Sequence, residues 1–264
     1  MNDRGYHWPE YALEALGLGL FMLSACAFTA LLEHPASMIR QALPDPFVRR
    51  ALIGVAMGLT AVALIYSPLG KRSGAHLNPA VTATFWRLGR IGTLDAVFYV
   101  LAQFAGGTAG VMLFALLAGD AIVADASVNY VVTVPGMSGR LVAFACEALI
   151  SAGLMYTVLA VSNRPSLNRF TGLFAGSLVA LYIAFEAPLS GMSMNPARTW
   201  ASGFSAHVWT DAWIYFLAPP AGMLLAAEVY LATRGASAIL CCKLHHDNDS
   251  PCIFPCRYHA ATPA

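Results

Sequence analysis

Charge is what this 264-residue sequence has least of. Its 14 acidic and 15 basic side chains make up 11% of the chain, whereas a soluble domain carries about a quarter. That shortage excludes an ordinary soluble fold. The net charge of +1 leaves no basic footprint for nucleic acid or another polyanion. Catalytic constellations are also missing: no Ser-His-Asp set, carboxylate pair or phosphate loop stands in a context that supports chemistry, so an enzyme is not expected. The opening MNDRGYHWPEYALEALG has no basic segment before a short apolar core and a small-residue cleavage site. No cleaved signal peptide is therefore expected, and the first apolar span directs insertion.

What the sequence does have is apolar length. Hydrophobic residues are 58% of the chain, and the mean hydropathy is +0.62. A transmembrane helix needs about 20 mostly apolar residues. Six stretches qualify: roughly Tyr11–Leu32, Phe47–Tyr66, Leu94–Ala118, Leu141–Val161, Phe170–Ala187 and Ala212–Thr233. Small residues punctuate them, as at Gly17/Gly19, Gly106/Gly107/Gly110 and Gly172/Gly176. Such residues let helices approach closely where hydrophobic burial cannot drive association.

Two shorter apolar pieces, Asn78–Leu88 and Asn195–Phe204, cannot span, and each opens on Asn-Pro-Ala: Asn78, Pro79, Ala80 and Asn195, Pro196, Ala197. A residue before proline resists helical geometry, while proline suits the first helical turn. Each triplet therefore predicts the start of a short helix. The half-helices follow the second and fifth spans, and Glu14 in the first span corresponds to Glu147 in the fourth. This is an internal repeat with three spans per copy, so the copies insert in opposite orientations. The predicted fold is an all-α membrane protein of six transmembrane helices and two re-entrant half-helices. Its segments are a cytoplasmic stretch 1–10, a channel domain 11–233 (repeats about 11–118 and 141–233) and a cytoplasmic tail 234–264.

Inverted half-helices meet N-terminus to N-terminus. Each start carries unpaired N–H groups and a partial positive charge, which opposes cations and protons while offering donors to a neutral molecule. Asn78 and Asn195 are expected to cap the starts and turn their amides to the lumen. The segments Ser67–Leu77 and Pro188–Met194 are expected to be non-helical backbone lining a watery cavity. Basic residues such as Arg4, Lys71, Arg72, Arg87, Arg90, Arg164 and Arg169 lie on the side of the termini and outnumber Arg40, Arg49, Arg50 and Arg140 opposite. That asymmetry predicts cytoplasmic termini.

These motifs carry a resemblance. Over roughly Tyr11–Thr233 the sequence resembles the aquaporin or major intrinsic protein family, through SGAHLNPAVT, SMNPAR and the polar residues Glu14, Gln103 and Glu147 within spans. The resemblance implies a homotetramer in a lipid bilayer, with one pore per protomer passing water or small neutral solutes and needing no cofactor. A bacterial inner (plasma) membrane is expected. Electrostatic exclusion of protons and cations is a known property of such pores. The resemblance also places Arg198 at the selectivity filter, and an arginine at membrane depth is costly unless it faces water. The other filter positions carry over to Met57 (with Gly58 as its alternative), Ile183 and Met192, and Glu14 and Glu147 support the loops. Here the sequence departs from water-selective relatives, which carry an aromatic ring on span two and a histidine on span five. Three apolar filter positions leave two outcomes open: water, or a less hydrated solute such as glycerol, hydrogen peroxide, ammonia or a metalloid acid. Thr199 and the pair Tyr215–Phe216 favour the water-type pattern. An ion-coupled secondary transporter is the alternative of another class. His76 matches a family histidine at the cytoplasmic mouth, where its titration could make flux respond to pH.

Cysteine is unevenly placed. Cys26 and Cys146 lie singly in apolar runs and read as small buried hydrophobes. The tail gathers Cys241, Cys242, Cys252 and Cys256 with His245, His246 and His259, beside Asp247. Thiolates with imidazoles suit zinc or another transition metal, although the spacing fits no strong zinc pattern. Palmitoylation of Cys241 and Cys242, or no role at all, are the competing readings.

Overall fold

The computed structural model describes residues 5–246 and 248–258. Every regular element among them is helical. Six helices are long and apolar enough to cross a membrane: α1 (Trp8–Glu33), α3 (Pro46–Tyr66), α6 (Thr93–Ala118), α8 (Arg140–Ser162), α9 (Thr171–Phe185, which with the helical turn before it spans Asn168–Phe185) and α12 (Trp213–Arg234). The half-helices are α5 (Pro79–Arg87) and α11 (Pro196–Ala206). Shorter helices complete the order: α2 (Met38–Ala42), α4 (Pro68–Ser73), α7 (Asp120–Val123) and α10 (Ala187–Ser190).

The long helices touch where side chains are absent. A Cβ on Gly58 would stand 2.5 Å from the Gly176 carbonyl oxygen, and one on Gly176 would stand equally close to that of Gly58. This pair brings α3 and α9 together backbone to backbone. Gly106 and Gly110 of α6 do the same against Ala15 and Gly19 of α1. In lipid, such close approach replaces hydrophobic burial as the source of helix association, through dispersion contacts.

Two expectations are corrected here. The segments read as non-helical each contain a turn of helix, α4 in Ser67–Leu77 and α10 in Pro188–Met194. In the first, Ser67 caps the start by accepting the Gly70 N–H, Pro68 fills the first turn, and Gly74 ends it at φ 96°. Gly191, at φ 87°, closes the second. Both endings need the left-handed region where glycine pays no Cβ penalty. The fifth span also stops at Phe185 rather than Ala187.

The tail folds back on the helices. Asn163, at the end of α8, accepts the Leu240 and Cys241 N–H groups at 2.7 and 3.2 Å. The Tyr258 hydroxyl donates to the Ser162 carbonyl at 2.6 Å.

Candidate functional site: a pore between two half-helices

Each half-helix begins as its Asn-Pro predicts. Asn78, extended at φ −158°, accepts the Ala80 N–H at 2.8 Å through Oδ1. Asn195 accepts those of Ala197 and Arg198 at 3.0 and 3.2 Å. The side-chain amides cross between the loops: Asn78 Nδ2 donates to the Met194 carbonyl at 2.7 Å, and Asn195 Nδ2 donates to the Leu77 carbonyl at 2.8 Å. These bonds tie the half-helix starts to each other, while both asparagines still line the cavity.

The loops before the caps follow one plan. Ala75 and Leu77 in the first, and Met192 and Met194 in the second, hold φ values of 48–56°. Left-handed backbone costs a non-glycine residue roughly 1–2 kcal/mol, so something must hold it. Two fully buried carboxylates do. Glu14 accepts the His76 and Leu77 N–H groups at 3.1 and 2.6 Å, the Ser73 hydroxyl at 2.7 Å and the Gln103 amide at 2.8 Å. Glu147 accepts the Ser193 and Met194 N–H groups at 2.6 and 2.8 Å and the Ser190 hydroxyl at 2.8 Å. Two hydroxyls complete the plan, that of Tyr99, which the sequence reading passed over, and that of Tyr215, which it read only as part of a water-type aromatic pair: they donate to the Ser73 and Ser190 carbonyls. Their matching places in the repeat were the available signal.

A cavity of about 210 Å³ runs past both caps. Met57, Ile183, Met192 and Arg198 all line it. Gly58, the alternative to Met57, instead faces the Gly176 carbonyl. Most of the other lining is apolar, including Leu18, Phe21, Val131, Leu154 and Val158. Arg198 Nη1 is buried with no hydrogen-bond partner among the described residues. A guanidinium donor left over beside an apolar passage can serve only what enters that passage.

His76 lies at the end of the cavity nearest the termini, 3% exposed. Its ring contacts Thr82 Oγ1 and the Cys242 carbonyl, each at 3.1 Å, and stacks between Phe85 and Phe254. Burial pushes its pKa down to about 4, opposed by the hydrogen bond to Cys242. The tail covers the ring, and burial therefore works against the response near neutral pH that the sequence suggested. In the tail, one ligand atom each from Cys241, His246, Cys252 and Cys256 falls within 4.8 Å of the others. Cys242 and His245 stand outside this group: the Cys242 thiol donates to the Arg90 carbonyl at 3.0 Å, and the His245 ring meets Tyr66 edge-on. His259 and Asp247 fall outside the described residues. Cys241 and Cys242 are both buried, where no acyl chain could reach lipid.

The family model for the major intrinsic protein matches residues 4–230. The chain belongs to the major intrinsic protein family. Aquaporin NIP1-1 of Arabidopsis thaliana is 33% identical over 84% of this chain and 72% of its own length. Aquaporin TIP4-4 of Zea mays is 36% identical over 66% of this chain and 71% of its own. Among solved structures, the aquaglyceroporin from Plasmodium falciparum superposes with a TM-score of 0.66 at 21% identity, covering 85% of this chain and 96% of that one. That likeness shows the fold. As a family member the chain is a multi-pass membrane channel for water or small solutes and not an enzyme.

Proposed function

We propose that the protein is a passive channel selective for water. One observation carries this reading: Arg198, Met57, Ile183 and Met192 share a single passage with the two half-helix starts. A permeant there meets one strong donor, two positive dipole ends, a few polar groups (Thr29, His76, Asn78, Ser193, Asn195) and mostly apolar walls. Water can pass in single file by exchanging hydrogen bonds with Arg198 and the asparagine amides. A cation loses its hydration shell with nothing negative to replace it. The three apolar filter walls favour a second reading, in which a less hydrated neutral solute also passes, because methionine side chains yield easily. We further propose a homotetramer with Asn78, Pro79, Ala80, Asn195, Pro196, Ala197 and Arg198 at each pore, loops supported by Glu14 and Glu147, and cytoplasmic termini in a bacterial inner membrane.

Stopped-flow light scattering of proteoliposomes in chelator-containing buffer tests the selectivity, with sucrose, glycerol and urea as osmolytes. The water reading expects fast shrinkage in sucrose and slow re-swelling in glycerol. It also expects Ile183→His, which adds a donor and acceptor at the narrow point, to leave water flux high and reduce glycerol entry. Rapid glycerol or urea entry with little water flux would replace the first reading by the second.

A further inference from the structure

We propose that Cys241, His246, Cys252 and Cys256 bind one zinc-class metal ion, and that the bound ion locks the tail into the pore mouth and closes the channel. The closure rests on the channel reading; the metal site does not.

The donor set comes first. Cys241 Sγ and Cys252 Sγ are 3.5 Å apart, and His246 Nε2 and Cys256 Sγ are 3.0 Å apart. Tetrahedral zinc, with bonds of about 2.3 Å to sulfur and about 2.0 Å to nitrogen, places its ligand atoms roughly 3.4–3.8 Å from one another. All four atoms lie within 4.8 Å of one another, so they reach that spacing by shifts of about 1 Å or less. Three soft thiolates with one imidazole suit zinc and not calcium or magnesium, which take oxygen. The spacing, C-x4-H-x5-C-x3-C, follows no familiar finger, so the sequence alone could not select these four. On binding, three S–H bonds ionise, three protons leave to solvent, and the His246 nitrogen lone pair completes the shell. Lys243, buried beside the cluster and donating to the Ser250 and Pro251 carbonyls, balances the resulting single negative charge.

Asn163, Ser162 and Gly74 anchor the tail on the helices, and a metal would add a tie within the tail itself. The four ligands draw together the two ends of the segment that touches the pore. Between them, the Leu244 N–H donates to the Gly74 carbonyl at 3.1 Å, and Leu244 lines the channel cavity. Phe254 covers His76, parallel at 5.9 Å. The same unit that would be organised by the ion thus supplies an apolar plug beneath the first half-helix.

The test uses the full chain, purified with a thiol reductant, in two arms. Elemental analysis and competition with a colorimetric zinc chelator read binding of Zn2+ alone. Stopped-flow scattering reads water flux with Zn2+ and after chelation. The proposal expects one zinc per chain, lost in Cys252→Ser and in Cys256→Ser, and water permeability rising roughly fivefold or more when zinc is removed. Leu244→Ala is expected to retain zinc yet conduct with zinc bound. Absence of stoichiometric zinc, or a Cys241–Cys252 disulfide found by mass spectrometry in its place, would overturn the site. Stoichiometric zinc with equal flux before and after chelation would overturn the gate. No flux in any variant or condition, with zinc bound, would instead reject the channel reading while leaving the metal site standing.

Discussion

Arg198 has a buried guanidinium nitrogen with no protein acceptor among the described residues, and its value lies in that deficit. Removing it should leave the pore wider and less positive. Arg198→Ala is expected to raise glycerol flux relative to water by about tenfold, equivalent to roughly 1.4 kcal/mol of barrier, and to admit a measurable proton leak. An unchanged ratio by stopped-flow scattering would remove Arg198 from the filter. Glu14 and Glu147 act differently, by holding left-handed loop residues through backbone N–H groups. Glu147→Ala leaves buried donors unpaired at roughly 1–3 kcal/mol each, so the purified variant should melt well below the wild type in detergent. A melting point within about 2 °C would contradict that role, given how little stability such a shift represents.

His76 gives a pH prediction with a definite sign. Its pKa falls from 6.5 to about 4 in the folded protein, chiefly through burial. A histidine with a lowered pKa contributes stability that is complete above the unfolded value and lost as pH falls toward the folded one. The packing of the tail over His76 should therefore be intact at neutral pH and weaken between 6.5 and about 4. The ring is faced by Thr82, Phe85, Tyr99, Phe254 and the Cys242 carbonyl, while Glu14 binds its backbone N–H. Limited proteolysis of the tail should accelerate over that acid range, and His76→Gln should flatten the change. Equal acid sensitivity in both proteins would assign the effect to other groups of the tail, His245 and His246 among them.

At the scale of elements, the long helices and half-helix starts were legible because lipid demands length and Asn-Pro demands a helix start. The glycine crossings were legible as small-residue clusters but not as pairs. Gly106→Val tests one pair: a Cβ on Gly106 overlaps the Ala15 backbone of α1, which cannot rotate aside. Overpacking there costs about 1–3 kcal/mol and should lower the melting temperature, whereas Gly89→Ala meets no atom within 4 Å and carries only the positive-φ penalty of roughly 1–2 kcal/mol. The helices α4 and α10 went unread although Ser67-Pro68 and Gly74, and Pro188 and Gly191, carry ordinary start and stop signals. Arg49 and Arg50 blunted the charge asymmetry for a local reason. Arg49 binds Glu33 and the Leu43 and Pro44 carbonyls, and Arg50 donates to the Ala184 carbonyl.

For the whole molecule, the repeat explains why one chain carries Asn-Pro-Ala twice. Each copy supplies one half-helix and the buried carboxylate that orients its loop, and the asparagines then cross-link the copies at the middle. The pore was legible because both halves leave the same residues at matching places. The tail was not, since it has no counterpart in the repeat and folds against loops distant in sequence, down to the Leu244 contact with Gly74. The central claim is that this passage carries neutral molecules and no charge. It is tested most directly by osmotic shrinkage of proteoliposomes in chelator, with a trapped pH dye reading proton movement in the same vesicles. The account predicts shrinkage about tenfold or more faster than empty liposomes, a barrier lowered by at least roughly 1.4 kcal/mol, with no accompanying pH change. Shrinkage no faster than empty liposomes, or flux that starts only under an ion gradient, would contradict it.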